Sequence, residues 1–329
     1  MIARLIEASA RNRLLVLLGT LIIVGIGIWS VFKTPLDALP DLSDTQVIVY
    51  TEYPGQAPQV VEDQVTYPLS TALLAVPHAK VVRGFSNFGV SFVYVVFEDG
   101  TDLYWARSRV LEYLNFAAKR LPEGVTPALG PDASGVGWVY QYVVLGAQRT
   151  LAELRGIQDW IVRYQLVTAK GVAEVASVGG FERQYQVVVD PRKLQAYGIS
   201  LDRITDAIRA GNRDVGGRTI EMSETEYMVR GRGYLRDTTD LGNVVLKADP
   251  NGAGTPVLLK DVARIQLGPD ERRGIAEMDG TGEVVGGIAL KRDGVDALTT
   301  IGNIKKKLDE LKPSLPEGVT IEPVYVSAC

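Results

Sequence analysis

The longest apolar run of the chain lies between Arg13 and Lys33. Residues 14–32 read LLVLLGTLIIVGIGIWSVF and carry no charge. At 1.5 Å per residue, a helix of this length covers roughly 30 Å, the thickness of a bilayer core. The run is longer than the apolar region of a signal peptide, and it is apolar on all faces, unlike a buried soluble helix. The pattern therefore predicts a retained transmembrane helix.

The charges at the two ends of this run predict its orientation. Arg4, Arg11 and Arg13 precede it, and acidic residues follow Lys33. The positive-inside rule places the N-terminus in the cytoplasm and the bulk of the chain on the other side of the membrane. Residues 1–10 have apolar side chains on one helical face, which predicts a short helix on the cytoplasmic surface. No later run is long enough to span a bilayer.

From residue 45 onward, short β-branched and aromatic runs alternate with runs of helical apolar spacing. Residues 45–132 contain the strand TQVIVYTEY, a helix that Pro68 kinks or splits, two strands on either side of Gly89, and a helix that Thr101 or Asp102 caps. The stretch LPEGVT then ends the helix and begins a last strand. This order, β-α-β-β-α-β, is that of a ferredoxin-like (split βαβ) unit.

LPEGVT occurs a second time, at residues 315–320, and it closes a second unit with the same ends but a longer middle. This unit begins with a strand at Gly137 and a helix that a Thr150–Glu153 capping box opens. The remaining elements are strands at 172–178, 183–190 and 282–291, a second helix, and a final strand from Thr320. The sequence therefore predicts an α+β fold of two ferredoxin-like units, the second interrupted by an insertion at about residues 194–270.

The insertion contains two polar extended arms between Asn212 and Tyr234. They read as a β-hairpin with Ser223 and Glu224 near its tip. A long polar hairpin is only marginally stable in water by itself, so we expect it to meet a partner surface. The alternative is a solvated loop or sheet edge.

Composition excludes several function classes. The 329 residues carry a formal charge of −4, which gives no basic footprint for nucleic acid. Cys329 is the only cysteine and His78 the only histidine, so this sequence has no intrachain disulfide, His-based triad or multi-histidine metal site. No phosphate-binding P-loop motif occurs. We therefore expect no enzymatic activity and no cofactor.

Methionine and aspartate could still bind cations. Met222, Met228 and Met278 are soft ligands suited to Cu(I), but ordinary packing by an adaptable side chain explains them better. The acidic stretch LDALPDLSD at 36–44 is better explained as a turn with capping carboxylates, because proline and serine lie within it.

Specific motifs resemble one family along nearly the whole chain. They are TPLDALPDLSD after the first span, YPGQAP, TYPLSTALLAVP, VRGFSNFG, VFEDGTDLYWARSRVLEYL, GPDASGVGW, LRGIQDW and EVASVGG. Together they resemble the N-terminal part of the resistance-nodulation-division (RND) efflux pumps of the heavy-metal branch. Within that branch the similarity is to the CusA-type copper/silver group.

The resemblance implies a domain organisation. Residues 1–33 would form the surface helix and first transmembrane helix, and 34–132 a first porter subdomain. A second porter subdomain would comprise 133–193 and 271–329, with a docking subdomain inserted at 194–270. In this family the docking hairpin contacts a neighbouring protomer. Its contact residues here would be Asn212, Thr219, Met222, Ser223, Glu224, Met228 and Tyr234.

The resemblance also implies a function. Such pumps are proton-driven homotrimers of the bacterial inner membrane, joined to a periplasmic adaptor and an outer-membrane channel. The transported ion would be Cu(I) or Ag(I). One departure is Glu271, which stands where the family has a methionine that helps to pass metal inward.

The sequence ends soon after Tyr325, where the family continues into a second span. The family's methionine cluster and intramembrane carboxylates lie beyond that point. We therefore expect a pump fragment that does not transport by itself. The alternative is a freestanding, membrane-tethered periplasmic interaction module.

Overall fold

The computed structural model describes residues 10–33, 43–231, 233–248, 254–270 and 274–327. These residues form two compact units. Unit 1 comprises the described residues within Met1–Arg149, Ile157–Gly179 and Ala276–Cys329, and unit 2 those within Thr150–Gly156 and Gly180–Ile275.

The predicted apolar helix is present as α1, Arg13–Lys33. Within the described part of the chain it is the one helix long and apolar enough to cross a membrane, and its span Arg13–Val31 buries nothing against the protein. Its apolar side chains are exposed, Leu14 and Val31 by 84% and 70%. Apolar side chains exposed in this number are costly in water. Nearly all of the predicted surface helix at 1–10 lies outside the described residues.

The first repeat of unit 1 follows the predicted order. Its elements are β1 Gln46–Glu52, α2 Pro58–Val61, a π-helical segment Glu62–Thr66, α3 Tyr67–Leu73, β2 Ala79–Asn87, β3 Val90–Phe97, α4 Leu103–Ala117 and β4 Pro127–Leu129. The strands form one antiparallel sheet in the order β2-β3-β1-β4. Asp102 caps α4 by accepting a 2.7 Å hydrogen bond from the Trp105 amide. The core lies between the sheet and the helices and includes Val47, Val49, Val61, Leu69, Leu73, Val93, Val95, Phe97, Val110 and Leu114.

The second repeat begins in the same way. It starts with β5 Trp138–Leu145, α5 Leu151–Ile157, a π-helical segment Gln158–Val162, α6 Arg163–Val167 and β6 Val172–Gly179. The predicted capping box is present: the Thr150 amide donates to Glu153 Oε2 at 2.9 Å, and the Glu153 amide donates to Thr150 Oγ1 at 3.3 Å.

Unit 2 contains all the described residues of the insertion. Its further elements are β7 Arg183–Val189, α7 Pro191–Tyr197, α8 Leu201–Gly211, β8 Val215–Met222, β9 Thr225–Gly231, α9 Thr238–Gly242, β10 Val245–Lys247, β11 Val257–Leu258, α10 Leu259–Val262 and β12 Ala263–Pro269. A small core with Leu194, Ile204, Leu241, Leu246, Leu259 and Val262 holds these short elements together.

The strand at 183–190 differs from its predicted setting. The sequence assigned it to the second repeat, up to a boundary at residue 193. In the structure, β7 pairs along its whole length with β12 of the insertion. Hydrogen-bond pairing between distant segments decides this, and the local pattern of a strand does not reveal its partner.

The chain then completes the second repeat with β13 Val285–Lys291, α11 Ala297–Leu311 and β14 Thr320–Val326. The four strands form an antiparallel sheet in the order β14-β5-β13-β6. Counted within each repeat, both sheets have the strand order 2-3-1-4. Each LPEGVT copy is the turn before the last strand, and its glycine, Gly124 or Gly318, has a φ of +83° or +78° that favours glycine.

Each repeat also carries a buried polar row under its π-helical segment. In the first sheet, Thr51, Ser91 and Ser86 are paired neighbours on three strands, and in the second Tyr142, Gly287 and Ser177 are their counterparts. The helix above contributes one polar side chain to each row. Thr66 bonds to Ser91 at 2.7 Å, and Gln158 accepts from Tyr142 Oη at 3.0 Å. The duplication therefore extends from element order to buried contacts.

Candidate interaction site: the exposed hairpin

The predicted hairpin consists of β8 and β9 joined by a two-residue turn. Ser223 and Glu224 form this turn with φ values of 51° and 61°. Two consecutive positive φ angles define the type I′ geometry, whose twist matches that of paired strands. The structure thus has both residues at the tip, as the sequence predicted.

The register sorts the hairpin side chains onto two faces. Thr219 lies opposite Met228, Glu221 opposite Glu226, Ile220 opposite Tyr227 and Met222 opposite Thr225. Directly opposed residues share a face, and faces alternate along a strand. One face is therefore mainly apolar, with Ile220, Met222, Tyr227 and Val229, and the other is mainly polar.

All fifteen residues of the two strands are exposed. Met228 is 82% and Met222 59% exposed, so neither methionine is packed in a core. Four large apolar side chains on one exposed face are costly in water and are typical of a surface that meets a partner.

The base of the hairpin is tied by polar contacts. Asn212 Oδ1 accepts from the Leu235 amide at 3.1 Å, and Asp214 Oδ1 accepts from the Gly233 amide at 2.9 Å. Asp214 also forms an ion pair with Arg230 through both Nε and Nη2. A Cβ at position 233 would lie 2.0 Å from the Arg213 carbonyl oxygen, so only glycine permits this closure.

These bonds change the acidity of Asp214. The hydrogen bond from the Gly233 amide, followed by the bond from Arg230, lowers the pKa of this carboxyl below its ordinary value. The carboxylate is therefore charged at neutral pH, where it can pair with Arg230. Beside it lies an open cavity of about 690 Å³, lined by Gly211, Asp214, Arg230, Gly233, Tyr234, Leu235, Arg236, Asp240 and Asn243.

Asp214 and Arg230 are not among the site residues that the sequence predicts. Both residues lie near the base of the arms, and their opposite charges are the signal that could have found them. A bulge between Gly216 and Thr219 shifts the register by one residue. A strict count from the turn therefore places Arg230 opposite Gly217, whereas the structure pairs it with Gly216, one residue nearer to Asp214.

The candidate metal ligands do not converge. The described residues contain no group of three or more His, Cys, Asp and Glu side chains that could hold an ion. Met222 and Met228 are not opposite each other in the hairpin register. His78 lies in the turn before β2, where it contacts Glu98 at 3.1 Å. Glu271 lies outside the described residues.

Comparisons with known proteins agree along the whole chain. The profile of the AcrB/AcrD/AcrF family matches residues 5–328. The chain is 56% identical to the cation efflux system protein CusA of Escherichia coli (strain K12), over 99% of this chain and 31% of that protein. It is 55% identical to the putative cation efflux system protein SilA of Salmonella typhimurium, with the same coverage.

A solved structure has the same fold. The crystal structure of a heavy metal efflux pump superposes with a TM-score of 0.86 at 34% identity, covering 97% of this chain and 32% of that one. The chain thus spans about a third of the length of the proteins that it matches. The resemblance drawn from the sequence motifs is confirmed, and the chain belongs to the AcrB/AcrD/AcrF family.

Proposed function

We propose that this chain is part of an RND-type heavy-metal efflux transporter, to which it supplies periplasmic surfaces. The observation that carries the proposal is 56% identity to a cation efflux protein over 99% of the chain. The chain is proposed to be a transporter part and not an enzyme.

The two repeats, whose strands all lie in unit 1, are proposed to be ferredoxin-like porter subdomains. The strand order 2-3-1-4 and the element order β-α-β-β-α-β in both repeats support this assignment. Unit 2, with its hairpin, is proposed to be the docking subdomain.

The proposed cargo is Cu(I) or Ag(I). The motif resemblance to the CusA-type group favours these soft monovalent ions over zinc or cobalt. No resident cofactor is proposed. The 329 residues by themselves are proposed not to transport, because alternating access requires several spans and a protein-lined path between them.

The proposed location is the bacterial inner membrane, with the N-terminus in the cytoplasm and both units in the periplasm. The exposed apolar helix α1 and the arginines at positions 11 and 13 support this topology.

The hairpin is proposed to dock onto a neighbouring copy in a homotrimer. Its full exposure and its apolar face of Ile220, Met222, Tyr227 and Val229 support this role. The assembled pump is proposed to join a periplasmic adaptor and an outer-membrane channel. The same surface also favours the second candidate, a tethered interaction module without transport.

A chimera tests the proposal. This chain replaces the matching residues of E. coli CusA in a host that lacks its own copper and silver efflux. We expect the chimera to restore copper and silver tolerance, and the 329 residues expressed alone to restore none. Unmodified E. coli CusA is the positive control for tolerance, and an empty vector is the negative control.

The other outcomes separate the alternatives. A chimera that is present in the membrane at normal levels but gives no tolerance would contradict the efflux proposal and favour the interaction module. Tolerance to zinc in place of copper and silver would contradict the proposal that the transported ion is Cu(I) or Ag(I). Tolerance from the 329 residues alone would show that no further part is needed.

A further inference from the structure

The two repeats of unit 1 are joined by a linker, residues 130–137, that side chains from both repeats hold. Asp132 is its central contact. Asp132 Oδ2 accepts a 3.0 Å hydrogen bond from Tyr104 Oη, on α4 of the first repeat. The same oxygen accepts a 3.1 Å bond from Arg292 Nη1, directly after β13 of the second repeat. One carboxylate oxygen therefore connects the two repeats.

The linker backbone is held from both sides as well. From the first repeat, Arg107 Nη1 donates to the carbonyl oxygens of Gly130 at 2.8 Å and Pro131 at 3.2 Å. From the second repeat, the Asp293 amide donates to the Asp132 carbonyl at 3.0 Å. Rotation of one repeat relative to the other would have to break bonds on at least one side.

Arg292 is itself fixed within the second repeat. Its Nε donates to the Val172 carbonyl at 3.1 Å, and its amide donates to the Gly171 carbonyl at 2.8 Å. The guanidinium thus joins two strand ends of the second sheet before it reaches Asp132. A planar, always-charged donor with several N–H groups suits this bridging position.

Burial strengthens the Asp132 contact. The Asp132 side chain is only 14% exposed and Arg292 is 46% exposed, so solvent screens this pair less than an open surface pair. Burial, and then the hydrogen bond to Asp132, raise the pKa of Tyr104. The phenol therefore stays a donor at neutral pH.

We propose that Asp132 is a positioning residue that latches the two repeats together and limits how far one repeat rotates relative to the other. Loss of its carboxylate leaves two donors without their acceptor, and the linker with its backbone hydrogen bonds then holds the angle between the repeats more weakly.

Distance measurements between spin labels test the latch in the full chain. In a Cys329→Ser background, Asn115→Cys on α4 and Lys306→Cys on α11 place labels on exposed positions of the two repeats. A second pair, Lys80→Cys and Asn115→Cys, lies within the first repeat and reports on its integrity. Pulsed electron spin resonance in detergent gives the width of each distance distribution.

We expect Asp132→Ala to widen the inter-repeat distribution about twofold and to leave the distribution within the first repeat unchanged. Tyr104→Phe and Arg292→Gln, which remove one donor each, should widen it by less. The matched control is Asp309→Ala, since Asp309 pairs with Lys312 near the end of one helix of a single repeat.

An unchanged inter-repeat width in Asp132→Ala, with the within-repeat distance intact, would overturn the latch. If Asp132→Ala does not fold, the two single-donor variants decide. Unchanged widths in both would also overturn it, whereas widening in either, absent in Asp309→Ala, would support it.

Discussion

The neighbours of Gly287 in the buried polar row leave no room for a side chain at this position. A Cβ at this position would lie 2.3 Å from Tyr142 Oη and 2.8 Å from Gln158 Nε2. Gly302, on α11 of the same repeat, has open space in the same direction. A side chain would therefore clash with its neighbours at position 287, whereas it would have room at position 302.

We expect Gly287→Ala to destabilise the chain by about 1–3 kcal/mol, because the added methyl group overpacks the row and displaces the Tyr142–Gln158 hydrogen bond. Gly302→Ala should instead stabilise it by up to about 1 kcal/mol through helix propensity. Urea unfolding of the full chain in detergent measures both changes. Equal effects of the two substitutions would contradict the packing argument.

At the scale of the element, the base of the hairpin is held by a charged side chain, that of Asp214. The pKa of this carboxyl is lowered, first by the Gly233 amide and then by Arg230. A lowered folded-state pKa gives stability that is present above the unfolded pKa, near 4, and is lost as the pH falls through the folded value. The hairpin base should therefore stay closed from neutral pH down to about pH 5.

Hydrogen exchange of the Gly233 amide checks this expectation. After correction for intrinsic rates, protection should be constant between pH 7 and 5 and should fall below about pH 4. Asp214→Asn should lower the protection across the whole range, because it removes the charge from the acceptor. Asp206→Asn, an exposed position on α8, is the control. Protection that falls already between pH 7 and 5 would show that another group closes the base.

At the scale of the whole molecule, the hairpin should contribute to assembly and not to folding. Deletion of Thr219–Met228 removes only exposed side chains, so we expect the free energy of unfolding of the full chain to change by less than about 1 kcal/mol. In the full-length chimera, the same deletion should weaken self-association, because the proposed docking face is lost.

Crosslinking in membranes measures the trimer fraction. Glu221→Gln, a single change on the polar face, is the control that should leave assembly intact. If the deletion variant crosslinks as a trimer to the same extent as the intact chimera, the docking role is contradicted and the hairpin is only an exposed loop. A large loss of stability on deletion would instead show that the hairpin supports the fold.

The sequence by itself determined the elements and their duplication. Apolar runs predicted α1, and alternating and helical spacing predicted most strands and helices, because these periods reflect local backbone geometry. The repeated LPEGVT marked the same turn in both repeats, and the choice of residues at the hairpin tip agreed with a tight reversal. The family was likewise readable from motifs alone.

Only the tertiary structure decided which segments pair and which polar residues meet. Three contacts show this, because each joins segments separated in the chain. Strand β7 pairs with β12, Asp214 pairs with Arg230 across a bulge, and Asp132 contacts both Tyr104 and Arg292. The π-helical segments illustrate the same limit. Pro68 predicted a disturbance in the first repeat, but the second has one as well, at Gln158–Val162, without a proline. Local patterns report the conformation of a segment, whereas its partners are fixed by packing that many segments share.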